Sequence, residues 1–238
     1  MKQFFTLLYT LLAVTAAQAQ TSTRWQPYIR AGIGASRAIG NEANAVFEFD
    51  HLNPQTIALP MSGKDWLSMG QVSVGFTQPL NKRLYIQVEA GVERRNARRP
   101  LTVNARSCGV AGCNEATFTG FGSSRATYLT VPVLVGYRFA KMSLATGPYV
   151  GYKLGEYQYN VLQSTGSRPP ISPRAFSISK LNNLDAGFSL AATYAIGNRV
   201  GLDLRYSQGI TSLAEEGSMA AERAYNQTAQ IGVRYNLL

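Results

Sequence analysis

Apolar and polar residues alternate with a period of two along eight stretches of the chain, and the connections between them run long, short, long, short. Over residues 84–92, Leu84, Ile86, Val88, Ala90 and Val92 share one face while Tyr85, Gln87, Glu89 and Gly91 share the other. Strict alternation marks a strand between two different surroundings and is foreign to a helix. The same reading predicts strands over 27–36, 66–77, 84–95, 128–139, 143–157, 183–195, 200–209 and 225–238. Gln78-Pro79-Leu80-Asn81-Lys82, Ala140-Lys141-Met142 and Ile196-Gly197-Asn198-Arg199 read as tight turns. The segments 37–65, 96–124 and 158–180 lack sustained alternation and are expected to be loops. Pro132 and Pro148 fall inside two strands, where each removes a ladder donor, so a bulge or a broken ladder is expected between them.

Alternation alone does not say which face points inward. The polar face carries Arg30, Glu89, Glu93, Arg138, Lys153, Asp185, Asp203, Arg205 and Arg234. In contact with lipid each Arg or Lys near the midplane would cost ~2–4 kcal/mol, whereas inside an eight-stranded barrel acids and bases can pair. The expected fold is therefore all-β: an eight-stranded antiparallel up-and-down transmembrane β-barrel with short periplasmic turns and long outer loops. Its interior is expected to hold a charge network of Glu89, Glu93, Arg138, Lys153, Asp185, Asp203, Arg205 and Arg234. Trp66, Phe76, Tyr137, Phe139, Tyr152, Tyr194 and Tyr235 lie near strand ends, where interfacial aromatic belts form.

The first residues add an address. Lys2, an apolar run over 4–17 and the small-x-small string Ala17-Gln18-Ala19 predict a signal peptide over 1–19, leaving 20–238 as the barrel domain. The net charge of +10 is nearly all in the barrel domain, since Lys2 is the leader's only charge. In an exported chain such a charge meets lipopolysaccharide phosphates before nucleic acid, and no basic helix or RNA-binding motif is present in the sequence. Cys108 and Cys113 are the only cysteines. An oxidising compartment favours a small disulfide ring between them. Two free thiols are the alternative, and a metal site comes last because the chain has one His.

Tyr128-Leu129-Thr130-Val131-Pro132-Val133-Leu134-Val135-Gly136-Tyr137-Arg138-Phe139, followed by Gly147-Pro148-Tyr149-Val150-Gly151-Tyr152, resembles the PorT-like outer-membrane β-barrel family. So does the chain from Leu184-Asp185-Ala186-Gly187-Phe188 through Leu202-Asp203-Leu204-Arg205-Tyr206-Ser207-Gln208-Gly209. The end, Gln230-Ile231-Gly232-Val233-Arg234-Tyr235-Asn236-Leu237, is similar to a barrel-assembly signal, although it finishes on Leu238 where such signals often carry an aromatic. The resemblance implies an eight-stranded barrel in the outer membrane. It also implies a loose link to protein secretion, since one member of that family serves it.

Two chemistries compete at the outer rim. Lipid A-modifying barrels use a His, and here only His51, beside Asp50, is available, without a nucleophile motif around it. An enzyme is not expected, and neither is a cofactor or a metal. Arg94, Arg95, Arg98, Arg99 and Arg106 crowd the exit of the third predicted strand, and guanidinium groups suit bidentate contact with lipopolysaccharide phosphates. The expected partners are outer-membrane lipid and lipopolysaccharide, the barrel-assembly machinery during insertion and an envelope protein, with the barrel a monomer and its lumen plugged by large side chains.

Overall fold

The computed structural model describes residues 25–40, 46–49, 65–109, 112–164, 182–213 and 224–237. The strands are β1 (Gln26–Gly40), β2 (Val46–Phe49), β3 (Leu67–Pro79), β4 (Leu84–Gly109), β5 (Gly112–Phe139), β6 (Met142–Ser164), β7 (Leu184–Ala195), β8 (Val200–Gly209) and β9 (Ala224–Asn236). Each pairs antiparallel with its neighbours, apart from β2, and the order β4-β3-β1-β9-β8-β7-β6-β5 is closed by pairing of β5 back onto β4. Eight antiparallel strands thus form a ring. Closure satisfies the backbone groups that an open sheet would leave at its edges.

The faces of the ring are inverted relative to a water-soluble barrel. Ile33, Val72, Val74, Leu190, Leu204 and Val233 point outward, Ile33 being 71% exposed, while Arg30, Glu89, Asp185 and Asp203 are each 1% exposed or less. Between Met142, paired with outward Tyr194 at one rim, and Tyr152, paired with Leu184 at the other, β6 has the length that a tilted strand of about 9–11 residues needs to cross a bilayer. Outward Phe139, Tyr194 and Tyr235 ring the short-turn end, and Trp66 and Tyr152 lie toward the other.

Large inward rings need room, and glycines on neighbouring strands supply it. Tyr85 stands opposite Gly136 in the β4–β5 register, and Tyr28 opposite Gly75 in the β1–β3 register. A Cβ on Gly136 would come within 2.1 Å of Tyr85 Cζ, and one on Gly75 within 2.6 Å of the Tyr28 ring. We expect Gly136→Val to lower stability by about 1–3 kcal/mol through overpacking, read as a lower urea midpoint in detergent, and Tyr85→Ala in the same chain to recover part of the loss.

Two expectations about the strands need correction. Residues 96–124 are not a loop: β4 and β5 run on as one hairpin, with 26 and 28 residues, and meet near Gly109 and Gly112. β6 likewise continues to Ser164. The hairpin alternates only in short runs, such as residues 101–106, too brief to mark a long strand in the sequence, and its order comes from backbone pairing. β3 covers only Tyr85 to Arg94 of β4, and β2 lies parallel against Thr102 to Ala105 on the edge left beyond it.

At the prolines the ladder is interrupted without a register change: Pro132 faces Tyr149, and the next pair is Val135 with Thr146. The bulge lies elsewhere, where Thr127 pairs with Gly155 but Tyr128 with Lys153. The extra residue in β6 is Leu154. It puts Lys153 and Glu156 on one side of the strand, and their side chains form an ion pair at 2.7 Å.

Candidate functional site

The polar interior is built by residues that alternate inward on all eight ring strands, and most of its buried charges fall into two clusters. In the first, β4 contributes Glu89, β8 contributes Arg205 and Asp203, and β1 contributes Arg30. Arg205 grips Glu89 with two parallel bonds, Nη1 to Oε1 at 2.8 Å and Nη2 to Oε2 at 2.9 Å. Arg30 donates Nε to Asp203 at 2.5 Å and Nη2 to Gln230 at 3.0 Å, bonds Gln71 through Nη1, and lies 3.9 Å from Glu89. The Tyr28 hydroxyl donates to Glu89 at 2.8 Å, and Thr193 donates to Asp203 at 3.0 Å. Bidentate, charge-assisted bonds of this kind are strong and directional. They fasten β1, β4 and β8 to one another across the lumen.

The second cluster sits nearer the long-loop end. Arg95 donates Nε to Glu93 at 2.5 Å and Nη1 to Asp185. Its guanidinium also lies over the rings of Tyr128, at 4.7 Å, and Tyr149, at 5.7 Å, while the Tyr149 hydroxyl donates to Asp185 at 3.0 Å. Arg95 is buried inside the barrel and is therefore withdrawn from the group of lipopolysaccharide-phosphate contacts. The reason is period two: Glu89, Gly91, Glu93 and Arg95 share one face of β4. Arg94, its neighbour, points outward and is exposed.

The other predicted interior charges are distributed less uniformly. Lys153 is half-buried and paired with Glu156. Arg138 and Arg234 lie toward the short-turn end with neutral partners. Arg138 donates to Gln26 at 3.2 Å and lies 5.0 Å from the Tyr85 ring centre. Arg234 donates to Thr77 at 2.6 Å, Asn236 at 3.0 Å and Gln87 at 3.3 Å, and covers the Tyr28 ring at 3.7 Å. Residues outside the predicted network, Tyr28, Arg30, Gln71, Tyr128, Tyr149, Thr193 and Gln230, complete the clusters; their inward phase on the strands was the available signal.

The sequence from residue 18 to residue 215 matches the family described as Outer membrane protein beta-barrel domain. The chain belongs to that family. Among solved structures, this outer-membrane barrel is similar to Ail, the attachment invasion locus protein of Yersinia pestis, in complex with the heparin analogue sucrose octasulfate. Identity is 11% and the TM-score 0.41, over 90% of this chain and 99% of the other. It is also similar to Neisserial surface protein A, at 9% identity and a TM-score of 0.38, over 89% of this chain and 97% of that one. No curated protein matches it.

On the rim of this outer-membrane barrel, the Arg98 guanidinium stacks on Phe121 at 3.6 Å, which joins β4 to β5 just where the hairpin leaves the ring. Arg99 and Arg106 belong to β4 by backbone, and their side chains lie outside the described residues. Cys108 and Cys113 are register partners on β4 and β5, with side chains likewise outside. His51 and residues 1–24 also fall outside the described residues.

Proposed function

We propose that this outer-membrane barrel has a structural and contact-making role in the envelope, carried by its outward surfaces, and that it is not an enzyme. The observation behind this reading is the division of labour along β4. Its inner residues are consumed by the ion-paired clusters that cross the lumen, while its continuation as the β4–β5 hairpin extends well past the length that a membrane crossing uses. The chain is exported by a signal peptide over 1–19, inserts with the help of the barrel-assembly machinery as a monomer of the PorT-like type, and needs no cofactor. Arg94, Arg98, Arg99 and Arg106 contact lipopolysaccharide phosphates at the outer rim.

Guanidinium groups at the membrane border bind phosphate through charge and paired N–H donors, so the contact weakens with salt. Binding of lipid A to the detergent-solubilised protein is expected to fall at least tenfold in the Arg94→Gln, Arg98→Gln, Arg99→Gln, Arg106→Gln quadruple variant, and to lose its salt dependence. Unchanged binding in that variant removes lipopolysaccharide as the partner of this rim.

A further inference from the structure

At the short-turn end the lumen opens into a cavity of about 250 Å³, lined among others by Gln26, Thr77, Arg138, Lys141, Thr193 and Arg234. Its complete lining contains three cations and no Asp or Glu. The interior carboxylates are already engaged deeper in the barrel: Glu89 with Arg205 and Arg30, and Asp203 with Arg30. Asp203 accepts the hydroxyl of Thr193 in the cavity wall, and it and Glu89 act on Arg234 through space without forming an ion pair with it. Among the described residues, no carboxylate lies within ion-pair distance of Arg138 or Arg234, although Arg30, Arg95 and Arg205 each have at least one.

That asymmetry has a physical cost. A buried guanidinium without a counter-charge is expensive, and Arg234 is only 8% exposed. Arg234 has five N–H groups, of which its three neutral partners take one each, and Arg138 has one such bond. Free N–H donors on two guanidiniums, the exposed Lys141 ammonium and the hydroxyl groups in the wall form a donor-rich cup without a carboxylate. We propose that this cup is an anion site which takes a phosphate-class oxyanion from the periplasmic side. The bound dianion supplies the charge that Arg138 and Arg234 lack, and it ties the turn between β5 and β6 to the last strand.

Titration of the folded, detergent-solubilised full chain with inorganic phosphate, followed by calorimetry and by ³¹P line broadening, tests this directly. Saturable binding is expected, weakened at least tenfold in Arg138→Gln and absent in Arg138→Gln with Arg234→Gln. Lys82→Gln, which removes an exposed charge at the same end but outside the cup, should leave it unchanged. Arg138 is half-buried, so its single variant keeps the test valid if the double variant fails to fold. No saturable phosphate binding by the wild type, or equal affinity in Arg138→Gln, overturns the proposal. Repeating the titration in nanodiscs of phosphatidylcholine and of phosphatidylglycerol identifies the source. Loss of phosphate binding only with phosphatidylglycerol assigns the site to a lipid headgroup, and equal affinity in both assigns it to a soluble phosphate.

Discussion

Replacement of Glu89 by Ala is expected to cost about 3–5 kcal/mol, the range for breaking a buried ion pair from one side. The side chain is fully buried, receives two bonds from Arg205 and one from Tyr28, and lies beside Arg30. Its removal leaves Arg205 buried without its carboxylate and Arg30 with Asp203 alone. Urea unfolding of the refolded protein in detergent measures the loss. A well-packed apolar replacement of both partners, Glu89→Leu with Arg205→Met, should recover much of it, because the penalty arises from the stranded charge and not from the absent attraction. If Glu89→Ala unfolds at the same urea concentration as the wild type, the interior cluster does not hold the barrel together.

Leu204→Arg should be nearly as damaging, for the opposite reason. Leu204 lies midway along β8, is 51% exposed and stands beside Ile231 of β9 on the outward face. A cation there meets hydrocarbon, at a cost of about 2–4 kcal/mol near the midplane. In lipid vesicles the variant is expected to show a correspondingly lower folded fraction at equilibrium, while Leu204→Phe should match the wild type. Equal stability of Leu204→Arg and wild type in vesicles would mean that this wall does not face acyl chains.

Which features the sequence exposed depends on where each residue has a contrast to report. Within the membrane the two faces of β1, β3, β7, β8 and β9 meet lipid and a polar lumen, so period two marked these strands to within a few residues. The β4–β5 extension shows no sustained alternation in the sequence and so read as a loop, although the backbone pairs throughout. β2 was missed because a four-residue strand held by the edge of β4 has no periodicity to show. Arg95 was misread for a related reason. Its alternation with Glu93 was present in the sequence, but reading the strand as ending there turned an inward residue into part of a loop cluster with Arg94 and Arg98. The inward tyrosines were harder still, since Tyr28 and Tyr149 reveal their role only when the register brings Glu89 and Asp185 within reach of their hydroxyls.

The ring is sewn shut by its two ends: β1 joins β9 from Tyr28 opposite Asn236 to Gly40 opposite Ala224. Closure of the ring therefore rests on β9, which pairs with β1 on one side and β8 on the other. A nascent polypeptide that has delivered every segment but β9 exposes the seam-facing edges of β1 and β8 at once, each a template for promiscuous sheet extension. Pairing of β9 covers both of those edges in one step.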